Sequence, residues 1–345
     1  MPDKIKVGVL THGGGAHVGA YLTALAASEE CGEVVFADPD KRYEAAARDA
    51  LGDKLTRTYT DHDQLLSGEQ PAMVVVTMEA KLAPPVIEKA LDAQCHVFAE
   101  KPSCVRVEDF VPLVEKADRQ HRYLMLALAN RINPEIAEAK RLIAAGEIGK
   151  LYGTEIHLIA DQTRLTRPSY RDSWMCHKAR SGGGHLIWLG IHWLDLAMYV
   201  TDSDITDVAA FTANVGGQPI DVEDSATAAL RFDNGTLGTV TSGYYLDKGY
   251  HSHIKIWGSQ GWLHIDSMDE APMHWSTTKG ERAGDIQTWE GTKEPRGYTP
   301  YVSAAIHACA QMTDPPITSA HSLRALNTVY SIYSSAESGR AIQLG

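Results

Sequence analysis

Short apolar runs alternate with helix-like stretches over roughly the first 125 residues, the βαβ signature of a parallel sheet. The runs at 5–10, 33–37, 56–59, 72–77, 96–99 and 123–129 predict six strands. The stretches at 17–29, 41–50, 84–93 and 107–119 predict intervening helices, the third opened by Pro84-Pro85. The run at 72–77 is apolar almost throughout, as a strand covered on both faces must be.

The pattern changes after Pro134. Residues 135–145 predict a helix closed by Gly146, and 154–161 alternates as a strand. Longer strands are expected at 208–214, 225–232, 238–245, 253–258 and 262–265. Asp233-Asn234-Gly235 between two of them is a hairpin signal, and Gly258-Ser259-Gln260-Gly261 is another turn. A last helix is expected at 323–339, after Asp314-Pro315-Pro316. The second part therefore reads as α+β with an antiparallel or mixed sheet, and no repeat or low-complexity tract interrupts it.

Composition narrows the class. A chain of 345 residues predicts two domains at roughly 100–200 residues each. A net charge of −12 disfavours binding to nucleic acid or an anionic membrane. No apolar run approaches the roughly 20 residues of a membrane-spanning helix, and the N-terminus carries no signal-peptide pattern. The five cysteines, Cys31, Cys95, Cys104, Cys176 and Cys309, are widely spaced and form no CxxC pair. That excludes a zinc knuckle or dithiol motif and points to free thiols in a reducing, cytoplasmic setting.

The first strand runs into Thr11-His12-Gly13-Gly14-Gly15-Ala16-His17-Val18-Gly19. Glycines there let a backbone approach a pyrophosphate, and the next helix N-terminus favours anions. Gly13 and Gly15 fit the first two positions of GxGxxG, but the third falls on Val18, with Gly19 one late. A tight turn without ligand is the alternative. Asp38 ends the second strand, where a carboxylate would take the adenosine ribose hydroxyls and repel a 2′-phosphate. That favours NAD, with Arg42 keeping NADP as the alternative. Asp38 also suits a plain turn before Pro39.

Ala99-Glu100-Lys101-Pro102 stands at the end of the fifth strand, where ligands of doubly wound sheets sit. Burial and a neighbouring cation lower a lysine's pKa and fit it for proton transfer. These residues, with the glycine turn, Asp38, Asn130-Arg131 and residues 146–150, resemble the Gfo/Idh/MocA oxidoreductases. The resemblance continues through Gly182-Gly183-Gly184 to His192 and Asp195, Glu223-Asp224-Ser225, residues 232–235 and 335–340. It implies a Rossmann domain over 1–127 and a substrate-binding and oligomerisation α+β domain over 128–345. That second domain carries a large, open, mostly antiparallel sheet. The resemblance also implies bound NAD(P) and hydride chemistry on a sugar or polyol, with Lys101 and His192 at catalytic positions.

After the three glycines, His185, Trp188, His192, Asp195 and Tyr199 interrupt an apolar helix at spacings of 3, 4, 3 and 4. Such spacing predicts one polar face, with His192 oriented by Asp195. Satisfied core groups are the alternative. The family pattern carries an Asp four residues before the catalytic His, and here that position is Trp188. Either His192 works with Lys101 alone, or Asp161 or His185 substitutes, or the chemistry differs; Trp188 instead suits a stacking wall for a sugar ring. Thr77-Met78-Glu79 also departs from the family's usual Thr-Pro-Asn; Thr77 and Glu79 remain in the expected cofactor set, Glu79 against the nicotinamide ribose.

Residues 161–180 gather five Lys or Arg in an acidic chain, and Asp161, Arg164 and Tyr170 are the expected substrate contacts. Residues 244–253 form a second rim, whose His251 and His253 are a weak metal signal that the expected site does not use. The expected set is then Lys101 and His192 for catalysis. Gly13, Gly14, Gly15, His17, Asp38, Thr77, Glu79, Glu100 and Lys101 are expected on the cofactor. Asp161, Arg164, Tyr170, His185, Trp188 and His192 are expected on the substrate, with no metal. The expected activity is NAD(P)-dependent oxidation of a secondary alcohol in a sugar, glycoside or polyol. A redox-neutral, NAD-dependent glycoside cleavage and a non-catalytic sensor are the alternatives. A homodimer or homotetramer is expected, because an open sheet buries its face by pairing.

Overall fold

The computed structural model describes residues 4–246 and 248–344. Two compact units emerge. The first contains Met1–Ala129, Ala179–Gly182 and Arg296–Leu323; the second contains Asn130–Lys178, Gly183–Pro295 and Arg324–Gly345.

The first unit is built on six strands: β1 (Ile5–Thr11), β2 (Cys31–Ala37), β3 (Leu55–Tyr59), β4 (Met73–Thr77), β5 (His96–Ala99) and β6 (Leu124–Leu126). They pair in parallel in the order β3-β2-β1-β4-β5-β6. Every residue of β4 and β5 is buried, as their apolar runs require. The order reverses between β1 and β4, where Thr11 lies level with Thr77. Val76 lies level with Ala99, so the parallel register brings His12, Met78 and Glu100 to one edge.

Helices α1 (Val18–Ala27), α2 (Glu44–Leu51), α3 (His62–Glu69), α4 (Ala83–Asp92) and α5 (Val111–Arg119) cover this sheet. Helix α3 was not expected, because only Leu65 and Leu66 of its eight residues are buried. Its start is set by Asp61, whose carboxylate accepts from the Gln64 N–H at 3.0 Å. The Tyr298–Gln311 helix was also unexpected; its small Ala, Ser and Cys positions give a weak apolar period. It packs on α1, and Tyr301 donates to the Leu126 carbonyl at 3.0 Å. Strand β6 is shorter than its apolar run, which turns out of the sheet into a short helical segment at Ala129–Ile132.

In the second unit α6 (Pro134–Ala144) leads to β7 (Leu151–Asp161), β8 (Ile205–Ala213), β9 (Ser225–Phe232), β10 (Leu237–Leu246) and β11 (Tyr250–Gly258). Strands β12 (Gly261–Ile265), β13 (Met273–Thr277), β14 (Gln287–Thr288) and β15 (Ile342–Gln343) complete a nine-stranded sheet. Its order is β14-β13-β12-β11-β7-β10-β9-β8-β15. Among the described strands of this sheet only β7 and β10 pair in parallel. The hairpin signal holds: Gly235 has φ 85°, and its N–H donates to the Phe232 carbonyl at 2.9 Å. Burial alternates along β9 from Ala226 onward, leaving one face open. On that face Phe211 is 78% exposed and Leu237 60%. His157, His253 and His264 stack in a row across it, with centroids 5.1 Å apart at each step.

The segment after the glycines departs from a regular helix. Leu186–Gly190 forms a π-turn, and the Ile191–Thr201 helix follows. The wider turn spends an extra residue of rotation, so His185 and Trp188 are out of phase with His192, Asp195 and Tyr199. The single polar face expected from their spacing is therefore corrected to two separate groups.

Candidate active site

In the first unit the glycine turn packs tightly at the end of β1. A Cβ on Gly15 would lie 2.3 Å from Thr11 Oγ1 and 3.1 Å from the Thr77 carbonyl. Only glycine fits there. Thr11 Oγ1 donates to the Thr77 carbonyl at 2.7 Å and Thr77 Oγ1 donates to the Ala16 carbonyl at 2.5 Å, tying the turn to β4. Gly19 is different, since a Cβ there meets nothing within 4 Å.

The turn's own N–H groups are partly spent. Gly13 donates to Asp40 Oδ2 at 2.6 Å, and Gly14 donates to His12 Nδ1 at 2.9 Å. The first turn of α1, in contrast, has no side-chain cap. Its N–H groups point where a doubly wound sheet holds a pyrophosphate, and the helix dipole favours negative charge there. His17 sits at this junction in the left-handed region, φ 55°. Its Nδ1 lies 3.0 Å from Glu100 Oε2, to which Tyr21 also donates. Tyr298 closes this group, 3.3 Å from His17 Nδ1 and 5.2 Å ring to ring from Tyr21. Burial and the Glu100 charge push the Tyr21 hydroxyl well above its usual range, so it stays a donor.

Asp38 is 2% exposed at the end of β2. Its oxygens accept the Asp40 N–H at 3.1 Å and the Tyr43 N–H at 2.8 Å, so it also holds the turn. Arg42 donates to the Gly13 carbonyl at 2.5 Å. Glu79 accepts from Arg180, at 3.0 Å from Nε, and its backbone nitrogen lies 3.1 Å from His12 Nε2. Lys101 follows β5, 1% exposed, and its peptide bond to Pro102 is cis. Sequence reasoning passed over His12, Asp40, Tyr298 and Arg180. His12 stands inside the glycine turn and Asp40 in Asp38-Pro39-Asp40, so both had a local signal.

In the second unit Glu223 is the organising group. One oxygen accepts the Gly184 N–H at 2.7 Å; the other accepts the Leu186 N–H at 2.9 Å and the Tyr333 hydroxyl at 2.8 Å. The glycines make this approach feasible. A Cβ on Gly184 would stand 2.0 Å from the Glu223 carbonyl oxygen, and one on Gly183 2.3 Å from the Tyr333 hydroxyl. Burial pushes the Glu223 carboxyl above its usual range, against the pull of these donors.

Asp195 does not orient His192, as its spacing suggested. Arg131 takes both of its oxygens, at 2.7 Å from Nε and 2.5 Å from Nη2, with both residues buried. His192 itself is half-buried. His185 is fully buried; its Nδ1 lies 2.6 Å from Ser242 Oγ and its ring meets Tyr244 edge-on at 4.4 Å. Burial, with the Arg164 charge, pulls its pKa down to about 3. A neutral His185 is poorly suited to relay protons. Asp161 accepts from the Thr163 N–H and hydroxyl at 2.8 and 2.6 Å, which hold its carboxyl below the usual range. Trp188 packs edge-on against Trp174 at 5.5 Å. Arg164 donates to the Tyr250 hydroxyl, and the Tyr170 and Tyr244 hydroxyls are 2.6 Å apart. Arg164, Tyr170 and His185 are thus gathered around Tyr244 and Tyr250, while Trp188 joins a separate aromatic pair. Among the described residues no group of three or more His, Cys, Asp or Glu is arranged to hold a metal. His253 instead lies 3.3 Å from Glu155.

The comparisons decide the family. The pattern of the oxidoreductase family with an NAD-binding Rossmann fold matches residues 5–128, and that of the GFO/IDH/MocA C-terminal domain matches residues 136–264. The chain belongs to the Gfo/Idh/MocA oxidoreductases. It is 23% identical over 292 residues to a myo-inositol 2-dehydrogenase of Thermotoga maritima, covering 84% of each chain. It is 26% identical over 333 residues to a D-xylose 1-dehydrogenase [NADP(+)] of Haloarcula marismortui, covering 94% of this chain and 89% of that one. The solved oxidoreductase domain protein of Kribbella flavida superposes with a TM-score of 0.89 at 22% identity, covering 100% of both chains. As a Gfo/Idh/MocA member the chain is an oxidoreductase with an NAD-binding Rossmann domain. The parallel N-terminal sheet and mostly antiparallel C-terminal sheet match that assignment. No helix of the described residues is long and apolar enough to cross a membrane.

Proposed function

We propose that this chain oxidises a secondary alcohol of a sugar or polyol, with Lys101 as the residue that handles the hydroxyl proton. The observation that carries this reading is the placement of Lys101. It is a buried lysine at the carboxyl end of β5, on the same sheet edge as the uncapped start of α1. Gly13–Gly15, His17, Asp38, Thr77, Glu79 and Glu100 would hold the cofactor there. Bound NAD supplies the hydride acceptor. Lys101 receives the proton of the hydroxyl whose C–H bond breaks, leaving a carbonyl. His192 assists as acid or base, and Asp161, Arg164, Tyr170, His185 and Trp188 shape the substrate's surroundings. Inositol and xylose dehydrogenases among the relatives support a polyhydroxylated substrate.

The oligomeric reading rests on the open sheet face, whose Phe211 and Leu237 are each at least 60% exposed. A homodimer or homotetramer that pairs these faces removes that liability. The cytoplasmic reading rests on five cysteines that are all buried and outside any disulfide. A panel of sugars and polyols assayed for NADH absorbance tests the activity. Progressive NADH formation with at least one member supports it. Release of an aglycone without net NADH would point to redox-neutral cleavage instead.

A further inference from the structure

The geometry points to a substrate that carries an anionic group, recognised by Arg164. This deepens the dehydrogenase reading and rests on it. Arg164 follows β7 in the short Thr163–Thr166 helix, and its guanidinium lies 5.3 Å from the Tyr250 ring centre. It donates to the Tyr250 hydroxyl. Tyr170 and Tyr244, joined hydroxyl to hydroxyl, complete an aromatic cradle around it.

The partners are hydroxyls, not carboxylates. Among the described residues no carboxylate oxygen lies within 4.0 Å of the Arg164 guanidinium. The nearest acidic side chain in the sequence, Asp161, is turned onto the Thr163 N–H and hydroxyl. Of the other cations of the segment, Arg171 pairs with Asp172 at 3.0 Å, Lys178 with Glu337 at 2.6 Å and Arg180 with Glu79, while Arg167 is exposed to solvent. Arg164 therefore holds a partly desolvated charge with no salt bridge, its neighbour Asp161 acting on it only at longer range, in a chain of net charge −12.

A half-buried guanidinium without a salt-bridged counter-charge costs free energy that a neutral polyol does not recover. An anion does. Tyr250 accepts from Arg164, so its own O–H remains available to donate. A carboxylate or phosphate oxygen would thus meet guanidinium N–H groups and a phenol donor together. His185 adds a second sign that the wall is unfinished. It is fully buried, edge-on to Tyr244, and its Nε2 has no hydrogen-bond partner. The substrate class is then a sugar acid or a sugar phosphate, sharing one anionic substituent on a polyhydroxylated frame.

The test uses the NAD-loaded full chain and matched substrates: glucose, glucuronate, gluconate and glucose 6-phosphate, with the galactose and inositol counterparts. Two readouts are taken, NADH formation and the rise in Tm that each compound produces. Charged members are expected to exceed their neutral partners at least tenfold in kcat/KM or in apparent affinity. Comparing acids with phosphates identifies which anion is meant. Arg164→Met should cost the charged compounds at least tenfold more than the neutral ones, mainly in KM, and Arg164→Lys should cost less. A melting curve of each variant confirms that it folds. NADH formation with neutral members only, or equal losses for both classes in Arg164→Met, overturns the inference while leaving the dehydrogenase reading intact. Tm shifts by anions that depend on Arg164, without NADH from any compound, would support the inference and count against the dehydrogenase reading. No charge preference in either readout overturns the inference.

Discussion

Arg131 grips both carboxylate oxygens of Asp195, one helical turn beyond His192. Tyr199 adds its ring beneath the guanidinium, 4.8 Å away. Both charges are about 1% exposed, so each is stable only because of the other. Asp195→Asn or Arg131→Met should cost about 3–5 kcal/mol in urea unfolding, because either leaves a buried charge alone. The paired change Arg131→Met with Asp195→Leu should cost clearly less than the sum. Additive losses would show that the pair is not coupled.

The glycine turn separates two glycines that look alike in the sequence. Gly15→Ala forces a side chain against Thr11 and the Thr77 carbonyl, and should abolish NAD binding measured by fluorescence titration. Gly19→Ala adds a methyl to an open helix position and should stabilise the protein by about 0.5–1 kcal/mol. Equal effects of the two would contradict the packing described.

Tyr333 bridges Glu223 and the turn before His192, accepting the Ile187 N–H at 3.0 Å. Tyr333→Phe removes one of the two donors to a buried Glu223 oxygen and the acceptor of the Ile187 N–H, and should lower stability by about 1–3 kcal/mol. Gly183→Ala, which drives a Cβ into the same hydroxyl, should be worse. A Tyr333→Phe protein as stable as the wild type would remove Glu223 from its organising role.

His185 gives stability a pH dependence with a definite sign. Its usual pKa of about 6.5 is lowered to about 3 in the folded chain, mainly by burial. Above pH 6.5 neither state takes the proton and the full stability is present. Between about 6.5 and 3 only the unfolded chain is protonated, so stability falls by about 1.4 kcal/mol per pH unit. Comparing wild type with His185→Gln from pH 7 to 5 should show that about 2 kcal/mol of the wild-type loss is missing in the variant. Parallel curves would place the titration elsewhere.

The fold was legible because its strands are apolar runs whose register follows from parallel pairing, as at Val76 and Ala99. Helix α3 and the Tyr298–Gln311 helix escaped, since polar or small residues blur the apolar period. Spacing placed His185, Trp188 and His192 on one stripe because it assumed 3.6 residues per turn; the π-turn at Leu186–Gly190 breaks that assumption. The partners of charged groups were the least legible part. Nothing in the spacing of Arg131 and Asp195, 64 residues apart, announces their pairing, and the nearer His192 was the plausible but wrong choice for Asp195.

The central claim is that Lys101 handles the substrate proton in an NAD-dependent oxidation. The most direct measurement compares wild type and Lys101→Met for NAD affinity and for NADH formation on the same substrate panel. The account predicts that Lys101→Met binds NAD within a few-fold of wild type but loses turnover by about a thousandfold, within the roughly 10²–10⁴-fold that acid–base catalysis supplies. Turnover by Lys101→Met at the wild-type rate would contradict it.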